Sequence, residues 1–337
     1  MSVAWGDLNA RARGLARHLV GAEVLRQLAE APDVAGFVRV ARAAGVVAPD
    51  ASAESVLEVE LALRRTAARR LRVLLRWAGD RSLLVRVVVE DEDRRSVRAI
   101  LRGAAAGAAS EARLAGLVPT PSLSERLLEE LAARPTPGDV AALLAAWGHP
   151  FGPAALRAAG VEHPDLFGLE LEIDRVFAAR AVAGARRGGP VLRAFVADTI
   201  DYANLRGALV LAAGESEQPP GLAFLPGGRR LSRERFLEAA AAGTGAAAKL
   251  AAAFAPDEVA GVLGRHAGDA GGLERGLLAL RIRRLRTLAR TDPLGSAPLL
   301  AYFLRLRAEQ ENLRLLLWGA ALGAPGALRS EWLVPSA

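Results

Sequence analysis

Four histidines, one glycine-rich loop and a dense set of arginines are the residues of this chain whose types and spacing bear on chemistry. His18, His149, His163 and His266 are scattered, and no two stand at the i, i+4 spacing of a helical metal site. An imidazole working as acid or base needs an oriented partner. None is recognisable beside any of the four, so structural or solvent-exposed roles are expected. The segment Gly243-Thr-Gly245-Ala-Ala-Ala248 fits the loose GxGxxA dinucleotide pattern. The residues before it, Phe236–Ala242, read as an alanine-rich helix where the fingerprint requires a strand. Lys249 follows, but Ala248 replaces the glycine before a P-loop lysine and Leu250 replaces the Ser/Thr. An interhelix spacer is therefore expected there. The chain has no cysteine, which excludes disulfides, thiolate metal sites and a cysteine nucleophile. No catalytic residue, cofactor-binding residue or metal ligand is assigned.

Basic residues number 44 against 37 acidic, a net charge of +7, and Lys249 is the one lysine. The basicity is thus carried by arginine. Arg64, Arg65, Arg69, Arg70, Arg72 and Arg76 crowd one stretch, and Arg281, Arg283, Arg284 and Arg286 another. Of these, Arg64, Arg65, Arg69, Arg281 and Arg284 are read as partner-facing candidates, on a face that would otherwise be solvated. An acidic protein or lipid headgroups suit such a face. Nucleic acid does not, because no aromatic residues interleave with the charges for base stacking. Three further arginines, Arg98, Arg206 and Arg314, sit among small apolar neighbours, which implies partial burial. A buried guanidinium requires a carboxylate. Glu58, Glu170 or Glu172, and Glu274 are the expected partners, one structural clasp per unit of the repeat described next.

The elements that must position these side chains repeat. The segments starting at Ser96, Asn204 and Asn312 lie 108 residues apart, twice. Within them Arg98, Arg206 and Arg314 align, as do Leu101, Leu209 and Leu317, and each run closes on Ala-Ala-x-Gly or Ala-Ala-Gly. An acid stands three residues before each start: Asp93, Asp201 and Glu309. Downstream, Leu117-Val-Pro119, Phe224-Leu-Pro226 and Leu333-Val-Pro335 recur. Val97, Ile100, Leu101 and Ala104 form one helical stripe, and the glycine after each apolar run suits a left-handed cap. Val85–Val89 is β-branched, yet its counterpart Leu299–Leu306 is helical, so helix is predicted throughout. The composition agrees, with 52% hydrophobic but only 5% aromatic residues. The expected fold is all-α, three similar helical bundles spanning 1–115, 116–222 and 223–337. The charge-free runs Val140–Leu156 and Leu315–Leu328 are interrupted and fall short of the ~18–20 apolar residues of a spanning helix. Neither a membrane crossing nor a leader peptide is expected.

Several motifs carry a family resemblance. They are Asp201-x-x-Asn-Leu-Arg206, Phe224-Leu-Pro-Gly-Gly228, Asp292-Pro-Leu-Gly followed by Leu300-Ala-Tyr-Phe, Glu309-x-Glu-Asn-Leu-Arg314, and Leu8-Asn-Ala-Arg-Ala-Arg13. In this order, over residues 5–335, the chain resembles the C subunit of bacterial and archaeal V/A-type ATPases, related to the eukaryotic V-ATPase d subunit. It departs at Ser96-Val-Arg98, where the other copies read Asn-Leu-Arg, and at Trp5-Gly-Asp-Leu-Asn9, which lacks a tyrosine often found before the Asn. The resemblance implies a funnel of three helical bundles around a pseudo-threefold axis. It implies a non-catalytic rotor part at the cytoplasmic face of the membrane, peripheral to it. Its partners would be the D and F subunits of the central stalk and the proteolipid c/K ring, with no cofactor, small-molecule substrate or nucleic acid. The role would be torque transmission for ATP-driven ion transport or ATP synthesis. The reading from residues alone keeps a second class open, a helical-repeat adaptor that binds RNA or an acidic protein through the arginine helices.

Overall fold

The computed structural model describes residues 5–48, 55–160 and 165–335, and every regular element among them is helical. Local chemistry places the helix starts. Ser55 forms a capping box with Glu58 at the start of helix Val56–Arg76. Ser124, Thr136 and Ser232 each accept an N–H three residues on, opening helices Glu125–Ala132, Pro137–Ala146 and Arg233–Ala240. The stops recur with the repeat. Helices Ser82–Ala105, Gly189–Ala212 and Ala297–Ala321 are followed by Gly107, Gly214 and Gly323, with φ of 65°, 70° and 67°. Behind each glycine the next N–H reaches back to the carbonyl of Gly103, Val210 or Gly319, the six-to-one bond of a Schellman cap. Glycine suits this backbone because a Cβ in the left-handed region costs about 1–2 kcal/mol. The β-branched run Val85–Val89 lies inside helix Ser82–Ala105, with Val85, Val87 and Val89 buried, so tertiary packing overrides their strand preference. The stretch Ser216–Gly228 carries a short helix, Pro220–Ala223.

The chain divides into two compact units. One comprises Met1–Arg81, Ala115–Thr120 and Leu278–Ala337. Its axis is Ala297–Ala321, packed by Val56–Arg76 and by helices Gly6–Ala16, Ala22–Glu30 and Val34–Ala43. Leu313, Leu316, Leu317 and Ala320 lie on one stripe of the axial helix and meet Leu28, Phe37, Val47, Val59 and Leu63 in a common core. Each fully buried side chain of this size contributes about 1.5–3 kcal/mol. Asn9 donates to the carbonyls of Pro293 (3.2 Å) and Gly295 (2.8 Å), which fixes Gly6–Ala16 to the loop before the axial helix.

The other unit comprises Ser82–Leu114 and Pro121–Leu277. Ser82–Ala105 packs on helix Leu166–Ala185, which packs in turn on Gly189–Ala212. Helices Pro137–Ala146 and Gly152–Ala159 cover the first pair, Arg233–Ala240 and Ala246–Phe254 cover the last, and Glu258–His266 packs on Ala246–Phe254. Val87 meets Gly184 where the first two helices approach, and a Cβ there would be 3.6 Å away, ordinary contact.

Candidate functional site

The densest concentration of buried charge is in the second unit. Arg94, Arg98 and Arg102 stand four residues apart and form one stripe of Ser82–Ala105. Glu170 and Asp174, also four apart, form the facing stripe of Leu166–Ala185, and both are buried. Arg98 donates through Nε and Nη2 to Glu170 (3.0 and 2.6 Å) and through Nη1 to both oxygens of Asp174 (3.3 and 3.2 Å). Arg94 bridges Asp174 (2.6 Å) and Asp91 (2.7 and 3.0 Å) and lies over the ring of Phe177. Arg102 holds both oxygens of Glu170 from the rim. Burial pulls the Arg94 guanidinium down, but Asp91 and Asp174 together hold it above its ordinary range. The hydrogen bond from Arg102 to Glu170 likewise raises Arg102. Such a network gains little over an apolar core, but removing one member strands the rest. Its multiple directional bonds fix the register of two helices, which apolar contact alone does not.

The three register-related arginines fare differently. The side chain of Arg98 is 6% exposed. That of Arg206 is 32% exposed and meets Asp174 at 3.5 Å, not Glu170 or Glu172. That of Arg314 is 52% exposed and lies 3.9 Å from Glu60, not Glu274. Glu58 belongs to the capping box, Glu172 pairs with Arg175 one turn on, and Glu274 is exposed, acting on Arg102 at a distance. Of the partner-facing candidates, Arg65 and Arg69 are exposed and Arg284 is half-buried. Arg64 and Arg281 are buried, a correction: Arg64 turns inward, where its Nε donates to the carbonyl of Leu117 (2.8 Å).

Sequence reasoning left out Asp174 and Glu60, and it aligned three acids and two asparagines without giving them a role. Asp174 was legible as the i+4 neighbour of Glu170. Glu60 accepts the N–H of Gly116 (2.5 Å) and Trp318 Nε1 (2.7 Å), with the Arg314 guanidinium 3.9 Å away. The aligned acids each hold a loop that opens a helix. Asp201 accepts the N–H groups of Arg229, Arg230 and Leu231 (2.9–3.2 Å). Asp93 accepts the Ser122 hydroxyl, and Glu309 accepts the Val20 N–H (2.7 Å) and pairs with Arg70. Burial raises the carboxyls of Asp201 and Glu309 in spite of these donors. The aligned asparagines are clamps. Asn204 exchanges two 2.8 Å bonds with the backbone of Leu225, and Asn312 binds Val334 in the same way (2.9 and 2.7 Å). Ser96 takes the same register in the first copy, and its buried hydroxyl has no hydrogen-bond partner among the described residues.

The groups weighed for catalysis are placed otherwise. His149 is buried, its Nδ1 accepts from Phe151 N (3.3 Å), and burial lowers it to about 4, so it is neutral at physiological pH. His18 is exposed, His266 ends a helix, and His163 lies outside the described residues. Gly243–Gly245 is a single tight turn between helices, followed by helix Ala246–Phe254 with Lys249 exposed. Among the described residues no three His, Asp or Glu side chains stand together to hold a metal ion, and no helix is long and apolar enough to cross a membrane.

The profile of the family described as "ATP synthase (C/AC39) subunit" matches residues 8–331. The chain belongs to that family. Its relatives there are close to it in length. The V-type ATP synthase C subunit of Thermus thermophilus is 32% identical over 279 residues, 82% of each chain. The A-type ATP synthase C subunit of Haloferax volcanii is 26% identical over 285 residues, 82% of this chain and 81% of the relative. The C/AC39 match takes in the buried network, both clamping asparagines and all three aligned acids.

Proposed function

We propose that this chain is the C subunit of a rotary V/A-type ATP synthase. In this reading it is a non-catalytic part between the central stalk, built from the D and F subunits, and the membrane proteolipid ring, at the cytoplasmic face. It passes torque between them, for ion transport or for ATP synthesis. The observation that carries the reading is the family match over residues 8–331, joined by relatives named as C subunits that align over 82% of this chain. The geometry supports it from a second side. A part that transmits torque must not shear, and here long helices are held to one another by buried, directional bonds, such as Arg94 and Arg98 to Asp174 and Glu170. Three helical units of about 108 residues, bounded near 115 and 222, complete the proposal. The recurring acids, clamps and caps at Asp93, Asp201 and Glu309, at Asn204 and Asn312, and at Gly107, Gly214 and Gly323 support that division. The test is affinity purification of the tagged full chain from gently solubilised membranes. Recovery of the stalk and ring proteins is expected. Recovery of none of them, with the chain intact, contradicts the proposal.

A further inference from the structure

Helix Val56–Arg76 carries its arginines on two faces. Arg64 and Arg70 point inward, one to the carbonyl of Leu117 and the other to Glu309. The four that remain, Arg65, Arg69, Arg72 and Arg76, are all exposed. Their spacing of four, three and four makes one straight seam about 16 Å long. Both acids of this helix, Glu58 and Glu60, lie in its first turns, away from the seam and held by Ser55, Gly116 and Trp318. Arg69, Arg72 and Arg76 form no ion pair with any described residue; Arg69 bonds only the Thr66 hydroxyl. Beside the seam runs a short apolar shoulder. Val73 is 41% exposed and Trp77 48%, and they stand one turn apart. Arg11 lies 3.7 Å over the Trp77 ring and adds a fifth cation at that end. Asp7, the acid nearby, is engaged by Arg11 and Arg81.

We infer that the seam Arg65–Arg69–Arg72–Arg76, with Val73 and Trp77 as its shoulder, is a docking surface for an acidic amphipathic helix of a partner protein. Charge complementarity selects the occupant. Guanidiniums at alternating spacings of four and three, with no acid of this chain set against Arg69, Arg72 or Arg76 among the described residues, are matched by a helix laid along them at about 20°. That helix carries carboxylates at the same spacing. Its next line of residues then meets Val73 and Trp77. A membrane surface fits less well, since this helix buries its apolar face in the core and offers no row of side chains for insertion. RNA fits less well, since one aromatic ring, covered on one face by Arg11, is no stacking platform. The inference deepens the proposed function and rests on it only for the assembly in which the partner resides.

The test has two arms, both with the full chain. In solution, a labelled helical peptide with glutamates at the spacing of the seam and one leucine line beside them is titrated by fluorescence anisotropy. A peptide of the same composition, with its glutamates dispersed round the helix, is the control. The patterned peptide should bind at least ~10-fold more tightly. The double variant R72E/R76E should lose at least ~10-fold, and the gap should close with salt. Both arginines are exposed, so the variant keeps its fold, checked by circular dichroism; R72Q/R76Q should give a smaller loss of the same sign. Equal binding of the two peptides, or binding unchanged in R72E/R76E, overturns the inference. So does equally tight binding of phosphatidylglycerol vesicles or an RNA oligomer through the same arginines. In membranes, R72E/R76E should copurify with fewer ATP synthase components than wild type. If both copurify equally the docking surface fails while the function stands. If wild type recovers none but the peptide arm holds, the function fails and the surface stands.

Discussion

Arg98, Arg206 and Arg314 occupy the same register of the repeat, yet the structure predicts three different costs for replacing them. Arg98 makes four hydrogen bonds to two buried carboxylates, Glu170 and Asp174. Arg98→Met keeps the bulk and removes the charge, which leaves those carboxylates partly uncompensated in a dry interface. Breaking a buried pair in this way costs about 3–5 kcal/mol. The lower end applies, because Arg102 still holds Glu170 and Arg94 still holds Asp174. Arg206→Met removes one 3.5 Å contact from a side chain a third exposed, and Arg314→Met one of 3.9 Å from a side chain half exposed. Pairs of that kind contribute about 0–1 kcal/mol. At ~2–4 °C per kcal/mol for a unit of this size, Arg98→Met should melt at least ~6 °C below wild type, and the other two within ~4 °C of it. Arg98→Lys should fall between, since an ammonium keeps the charge but cannot span both acids as the planar fork does. The assay is thermal and urea unfolding followed by far-ultraviolet circular dichroism. Equal losses for the three variants, or a loss below ~1 kcal/mol for Arg98→Met, would refute the reasoning.

His149 should give the chain an acid-sensitive component of stability. Its folded pKa of about 4 lies below the ordinary 6.5, because burial disfavours the imidazolium, so the unfolded chain binds the proton first. That stability is complete above pH 6.5 and is lost as pH falls through 4, roughly 3 kcal/mol in all. His149→Asn, whose side-chain oxygen replaces the acceptor for the Phe151 N–H, should flatten the slope of urea midpoint against pH over that window. Asn312→Ala leaves the backbone N–H and carbonyl of Val334 unpaired in the interior, and unfolding measurements should show a loss of about 2–4 kcal/mol. Gly214→Ala meets no atom within 4 Å but must hold φ near 70°, costing about 1–2 kcal/mol in the same assay; Gly228→Ala would drive a methyl into the Asp201 carboxylate and should cost more.

The local signals were the most legible. The closing glycines of the three repeated runs mark Schellman caps, because a glycine after an apolar helix has few other uses. The 108-residue register also brought out Asn204, Asn312 and the three acids, whose bonds hold loops: those of Asn204, Asn312, Asp93 and Asp201 within about 30 residues, those of Glu309 across the chain to Val20 and Arg70. Arginine direction was not legible. Arg64 and Arg65 are neighbours in sequence, but one is buried against Leu117 and the other exposed. Nothing in a guanidinium tells which face of the helix is covered until the neighbouring elements are placed. The pairing of acids with arginines differs from the expected one for a related reason: Glu170 meets Arg98, while Arg206 and Arg314 meet Asp174 and Glu60. Glu58 stands at a helix start, where its carboxylate closes a capping box, and Glu274 is exposed near another. The partners of Arg98 lie one and two turns into Leu166–Ala185, at Glu170 and Asp174.

The central claim is that this chain couples a stalk to a ring, and ion transport measured alongside hydrolysis tests it most directly. The complete assembly is reconstituted in vesicles with and without the chain, and ATP-driven ion uptake is recorded beside ATP hydrolysis. Hydrolysis by the soluble head should persist in both preparations, while uptake should occur only with the chain present and return when it is added back. Undiminished uptake in its absence would contradict the account.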